Sequence, residues 1–365
     1  MARRVYLVAG ARPNFPKVAP LWLEMSRRPD AFEPLLVHTG QHYDRKMSDI
    51  FWEQLELPPP HRALGVGSGS QAEQTARTMV AFEKALLEDK PDLVVVVGDV
   101  TPTMACAVDC AKLGIPVAHV EAGLRSCDRR MPEEINRLLT DVVCDLLLTT
   151  SRQAGDNLRA EGIPEERIHF VGNVMIDSLR RLEPKADASD VLKRHGLETK
   201  GYALVTIHRA SNTDDDDVLR GLLEALGRIQ KQIPIVFPIH PRTVNAVARI
   251  GRSDALSRMV NLKQIGPAGY VDFLCLQKNA RLVLTDSGGV QEETTVFGTP
   301  CLTMRENTER PETVEVGTNR LVGLDPDAIV MGVEEVLEGA VTGSVPELWD
   351  GRAAGRCVDV FSTFL

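Results

Sequence analysis

Short runs rich in Val, Leu and Ile recur along the chain, and each is followed by a stretch whose apolar residues return with helical spacing. In the first half the runs are VYLVAG, PLLVHTG, DLVVVVGD, PVAHVEAG, DLLLTTS and HFVG, separated by stretches such as KVAPLWLEMSRR and AEQTARTMVAFEKALLEDK. Runs that are apolar on both alternating faces leave no solvent side. They predict parallel strands covered by helices above and below. The alternation stops over VMIDSLRRLEPKADASDVLKRHGLETKG, then restarts at YALVTIHR and continues through PIVFPIHP, VNLKQIG, RLVLTDSGG, PCLTMR and RLVGL. This is a second sheet. The expected fold is α/β, with two Rossmann-like doubly wound domains facing a central cleft: residues 1–172, residues 173–349, and a C-terminal helix, 350–365, packing back on the first. In such folds ligands sit at the carboxyl ends of the strands, so polar residues just after apolar runs are the candidates for chemistry.

Composition narrows the function class. At 365 residues the chain exceeds the usual single core, in keeping with two domains. The apolar run in MARRVYLVAGARPNF is too short for a signal-peptide core, and no window approaches the roughly 18 apolar residues of a spanning helix. A cytoplasmic protein that does not engage the membrane is expected. The seven cysteines are odd in number and form no CxxC pair, which suits buried free thiols in a reducing compartment. A net charge of −9 disfavours nonspecific binding to nucleic acid, so local Arg and Lys are expected to serve a small anion.

Several strand ends carry such chemistry. After RLVLTD come Ser287, Gly288 and Gly289, then the helical VQEETTVFG, a turn that aims free N–H groups at whatever lies over the glycines. Arg310 offers a planar fork to a carboxylate or phosphate, and Glu292 or Glu293 could accept hydrogen bonds from ribose hydroxyls. After VYLVAG, Arg12 and Lys17 stand at a matching strand-to-helix turn. Asp99 ends VVVVGD, Glu121 follows PVAHV, and Glu133 and Glu134 open a helix behind Pro132. Acids in a first helical turn also complement the helix dipole, but carboxylates at neighbouring strand ends can divide into acid and base roles. His208 ends YALVTIH, and His240 follows PIVFPI. The run Asp214 to Asp217 reads as a helix cap, as does Ser68 or Ser70 before the helical AEQTAR. No spacing indicates a metal site, and no nicotinamide-binding glycine pattern is completed.

Taken in order, GARPNFPKVAPL, HTGQHYD, VVGDVTPT, HVEAGLRS, MPEEINR, FVGNVMID, VTIHR, LTDSGGVQEE and MRENTERPETVEVGTNRLVG resemble the non-hydrolysing UDP-N-acetylglucosamine 2-epimerases over almost the whole chain. The resemblance implies a glycosyltransferase-B-like fold, a UDP-sugar in the cleft, no cofactor and a homodimer. It assigns UDP to Arg12, His208, Ser287, Gly288, Gly289, Glu293 and Arg310, places Phe273 against the uracil, and gives the sugar to Asp99, Glu121 and Glu133. In the family reaction UDP is eliminated as the C2 proton leaves, and a glycal is formed and then readded to UDP.

Where the commoner bacterial pattern has QHR and HRRE, this chain has QHYDRKM and HRASN. Gln41, Arg209 and His240 match a regulatory substrate site whose other members differ, which puts that regulation in question. Rival readings are a C2 epimerase for a modified sugar such as a 2,3-diacetamido uronate, a hydrolysing epimerase, a glycosyltransferase of the same fold, and an inert nucleotide-sugar-binding protein.

Overall fold

The computed structural model describes residues 2–40, 52, 54–339 and 341–365. Its first sheet contains β1 (Arg3–Ala9), β2 (Phe32–His38), β3 (Arg62–Ala63), β4 (Leu93–Val97), β5 (Val117–Ala122), β6 (Leu146–Thr149) and β7 (Ile168–Phe170), all paired in parallel in the order β3-β2-β1-β4-β5-β6-β7. The second contains β8 (Ala203–Thr206), β9 (Ile235–Pro238), β10 (Leu262–Ile265), β11 (Leu282–Thr285), β12 (Cys301–Thr303) and β13 (Asn319–Leu321), in the order β10-β9-β8-β11-β12-β13. In both, the chain works outward one way from its first strand, then returns to that strand's other side. This is the doubly wound order, and each sheet has a switch point: between β1 and β4 in one, and between β8 and β11 in the other.

Each expected apolar run is a strand, and the helices between cover both faces. β4, LVVVV, is buried at every position, as a strand sandwiched between helical layers must be. The two-residue β3 escaped the pattern. It pairs only with Val37 and His38 of β2 and is too short to show a period. On one face of the first sheet Tyr6, Phe82, Leu86, Val94, Val96 and Leu147 form a core, and Val205, Leu222, Leu226, Phe237 and Leu284 do so in the second. Helix starts follow the expected chemistry. Ser70 and Glu73 form a capping box on Gln71–Asp89, and Asp215 accepts hydrogen bonds from Asp217 N and Val218 N at the start of Asp216–Ile229.

The chain divides into two compact units, residues 1–181 with 347–365, and residues 182–346. The division falls within the helix Val174–Asp187. In the first unit Asp177 of that helix accepts hydrogen bonds from Ala353 N and Ala354 N (3.0 and 2.7 Å), tying down the C-terminal helix Ala353–Phe364, which packs on Phe15–Ser26. Trp349 donates to Thr150 O at 3.0 Å and fixes the segment leading to it. Among the described residues no helix is long and apolar enough to cross a membrane. One thiol departs from expectation: Cys127 is exposed, while the other cysteines are buried.

Candidate active site

In the first unit the site residues gather at the β1/β4 switch point. Asn14, buried in the turn after β1, accepts hydrogen bonds from Gly10 N and Ala11 N at 2.9 Å and donates to Val97 O at 3.1 Å. One amide thus clips the two loops together. Gly98, at φ +68°, packs against the Lys17–Glu121 ion pair: a Cβ would lie 2.9 Å from Lys17 Nζ and 3.6 Å from Glu121 Oε2. Arg12 is described in its backbone alone, opening the 3-10 turn Arg12–Asn14.

Lys17, expected to face an anionic ligand, is buried and ion-paired with Glu121. Glu121 is 4% exposed and takes φ +77° where the β5–β6 register shifts, so the strand itself is bent to turn this carboxylate out of the ladder. Asp99 is gripped by the Arg137 guanidinium. Arg137 is itself held by Glu134, at 3.0 Å from Nε and 2.8 Å from Nη2, and Asn136 donates to the Asp99 carbonyl at 2.9 Å. The helix Pro132–Val143 therefore aims Asp99 from below.

Its two acids have parted company. Glu134 accepts from Ser126 N, Ser126 Oγ and Cys127 N at 3.0 Å, and although burial alone would raise its pKa, these amides and Arg137 hold it below the ordinary carboxylate range. Glu133 is half-buried and makes no hydrogen bond or ion pair among the described residues. Behind them His119 bridges Asp141 Oδ1 (2.6 Å) and the Gly98 carbonyl (2.8 Å). Arg125 joins Asp141 to Glu161.

In the second unit the site lies at the β8/β11 switch point. Asp286, fully buried, accepts hydrogen bonds from His208 N (2.8 Å) and Arg209 N (2.9 Å), and its Oδ1 lies 3.1 Å from His208 Nδ1. Ser287 is the N-cap residue of the helix Gly288–Phe297, and its hydroxyl does not cap, so the first amides of that helix remain for an anion. Arg310 lies against this turn: a Cβ on Gly288 would meet its Nη1 at 2.5 Å. Gly289 follows in the same first turn.

The guanidinium of Arg310 is fixed by Glu292 (Nε to Oε1, 2.6 Å) and Glu309 (Nη1 to Oε1, 2.5 Å). Glu309 also takes Arg305 at 2.7 Å and Arg209 at 3.2 Å. Burial opposes its ionisation, but the three guanidinium groups hold its pKa well below normal. Arg209, expected in a regulatory role, thus belongs to the same charged cluster as Arg310. His240 caps the helix Pro241–Arg249, its ring centroid 6.0 Å from that of His208. Gln41 lies outside the described residues.

Glu293 does not stand open as a ribose acceptor. Its oxygens accept from Tyr270 Oη (2.8 Å) and Gln277 Nε2 (2.6 Å), and burial pushes its pKa up to about 7 against those hydrogen bonds. A ribose would have to share them. Phe273 is half-buried on the helix Tyr270–Asn279, the same helix that supplies Tyr270 and Gln277. Among the described residues no group of His, Cys, Asp and Glu could hold a metal ion. Sequence reasoning missed Asn14, Arg137, Asp286 and Glu309. The one available signal was their position within the same short motifs as the residues it did find.

Residues 24–362 match the family model for UDP-N-acetylglucosamine 2-epimerase. The chain belongs to the UDP-N-acetylglucosamine 2-epimerase family. It is 42% identical to the UDP-N-acetylglucosamine 2-epimerase of Methanocaldococcus jannaschii, covering 98% of this chain and 99% of that one. It is also 40% identical to a UDP-2,3-diacetamido-2,3-dideoxy-D-glucuronate 2-epimerase of Pseudomonas aeruginosa, covering 98% of this chain and 98% of that one. The crystal structure of the M. jannaschii enzyme in complex with UDP-GlcNAc and UDP superimposes with a TM-score of 0.93 at 40% identity, covering 99% of each chain. The epimerase thus has the glycosyltransferase-B-like fold of its family, built from two Rossmann-like units.

Proposed function

We propose that this epimerase interconverts UDP-N-acetylglucosamine and UDP-N-acetylmannosamine without hydrolysis, its second unit holding UDP and its first acting on the sugar. The observation that carries the reading is the state of three carboxylates at the carboxyl end of the first sheet. Asp99 and Glu121 are each fixed by a cation, Arg137 and Lys17, and Glu133 is left without a partner among the described residues. Fixed and free carboxylates of this kind suit proton removal from one face of C2 and return to the other. The C2 hydrogen is barely acidic, so departure of UDP must drive its loss. The C1–O electron pair leaves with UDP, the C2 proton passes to a carboxylate, and a glycal remains. UDP then adds back to C1 as a proton returns to the opposite face of C2.

Charge grows on the diphosphate in this transition state, so donors around it lower the barrier as well as bind. The amides after Ser287, Arg310 and His208 are the groups we assign to that role, with Arg12 as a further donor and Phe273 against the base. The P. aeruginosa relative supports a second substrate, a diacetamido uronate, at nearly the same identity. A uronate carboxylate would require a cation beside the sugar, and on the first unit's sugar side Lys17 and Arg137 are already committed to Glu121 and Asp99. We therefore favour the uncharged sugar.

The test is incubation with UDP-N-acetylglucosamine in heavy water, followed by proton NMR. Both epimers should accumulate with deuterium at C2. Epimerisation with the C2 hydrogen retained would remove the elimination mechanism, and turnover confined to the uronate would reassign the substrate.

A further inference from the structure

Asp286 is placed to act through His208. It is fully buried at the end of β11, and its partners lie in the segment that follows β8: the amides of His208 and Arg209, the Asn212 side chain at 3.4 Å, and the His208 ring. Burial alone would raise its pKa, but the His208 ring and these amides hold it below the ordinary carboxylate range. His208 is the opposite case. Its side chain is 42% exposed, and the nitrogen it turns inward is Nδ1, 3.1 Å from Asp286 Oδ1.

That choice matters. A neutral imidazole with its proton on Nδ1 offers a bare lone pair at Nε2, which repels a phosphate oxygen; the imidazolium offers Nε2–H, which donates to it. A buried carboxylate beside Nδ1 fixes the ring with Nδ1 inward and Nε2 outward. The other groups near the ring are His240, 6.0 Å away between centroids, and Arg209, which leans on Glu309 beside Arg305 and Arg310. Asp286 is the acid that lies against the ring, its Oδ1 3.1 Å from Nδ1.

We propose that Asp286 is a positioning residue for the reaction, holding the His208 imidazolium by Nδ1 so that Nε2–H is the donor presented to the departing diphosphate. The proposal rests on the second unit being the UDP site, as argued above.

Two measurements test it. In wild-type enzyme labelled with ¹⁵N-histidine, NMR titration should show that the neutral form of His208 keeps its proton on Nδ1; a neutral form protonated on Nε2 overturns the proposal without any variant. In calorimetry at one fixed pH, Asp286→Asn, which keeps an acceptor for the backbone amides but removes the charge, should weaken UDP binding about tenfold. In a His208→Asn background the same change should cost nothing further, whereas additive losses would make Asp286 merely structural and end the proposal. If Asp286→Asn does not fold, the wild-type titration decides alone. Failure of C2 exchange in the wild-type enzyme would remove the proposed reaction but leave the tautomer and UDP measurements to stand by themselves.

Discussion

Glu121 holds a φ of +77°, a region that side chains other than glycine enter at a cost of about 1–3 kcal/mol. The strain coincides with the register shift between β5 and β6, and the bend sets the carboxylate against Lys17. Charge and shape therefore separate experimentally. Glu121→Gln keeps the volume but leaves the Lys17 ammonium buried without its counter-charge, a loss of about 3–5 kcal/mol in unfolding free energy. C2 exchange should fall by about 10²- to 10⁴-fold, the usual worth of a positioned acid or base, while UDP binding, assigned to the other unit, is unchanged. Adding Lys17→Met should return stability toward wild type in denaturant unfolding and leave exchange as low as in the single variant. Recovery of exchange in the double variant would show that Glu121 serves the fold alone.

At the scale of elements, two helices do work their sequences do not announce. Pro132–Val143 has an amphipathic pattern like many surface helices, yet its inner face carries Glu134, Asn136 and Arg137, which build the support under Asp99. The C-terminal helix Ala353–Phe364 begins without a side-chain cap of its own, and its first amides are taken by Asp177, distant in sequence. Asp177→Ala should cost about 1 kcal/mol, the ordinary worth of a lost cap, and hydrogen exchange should quicken across residues 353–364. Asp177→Asn, which keeps an acceptor, should protect most of them. Equal exchange in the alanine variant and the wild type would mean that packing on Phe15–Ser26 holds the helix unaided.

For the whole molecule, the buried acids set how stability follows pH. Burial pushes Asp109, in the first unit, and Glu293 and Glu312, in the second, up to about 7, against 3.8 for an unfolded Asp and 4.5 for an unfolded Glu. Each raised acid contributes stability that is full below its unfolded value and is lost as pH rises through its folded value. Asp141, Asp286, Glu134 and Glu309 behave oppositely: held low by cations and amides despite burial, they contribute stability above their unfolded values and lose it as pH falls. Asp177, raised to about 6 by burial, adds to the first group, while His38 and His169, whose pKa burial lowers, gain stability as pH rises and offset part of the loss. With four raised acids against two histidines, the melting temperature should decline from about pH 4.5 to pH 7 and level off above it. Glu312→Gln, neutral at every pH, should show a shallower decline. A wild-type melting temperature that climbs from pH 5 to pH 8 would contradict this accounting.

The sequence by itself determined the strands, because runs apolar on both faces can only be sandwiched, and it determined which polar residues follow them: Asp99, His208 and the Ser287 turn each sit where an apolar run ends. It also carried the family, through motifs read in order. It did not determine partners. Asp99 meets Arg137 and Glu121 meets Lys17 because the sheet order runs β1-β4-β5 and so brings the segments after these three strands together, and His208 meets Asp286 because β8 lies beside β11, each across a long interval of chain. Nor could local pattern separate Glu133 from its neighbour Glu134, or foresee Glu293 turned onto Tyr270 and Gln277. Successive side chains on a helix point about 100° apart, so adjacent acids meet different surroundings, and only tertiary packing decides which one is enclosed.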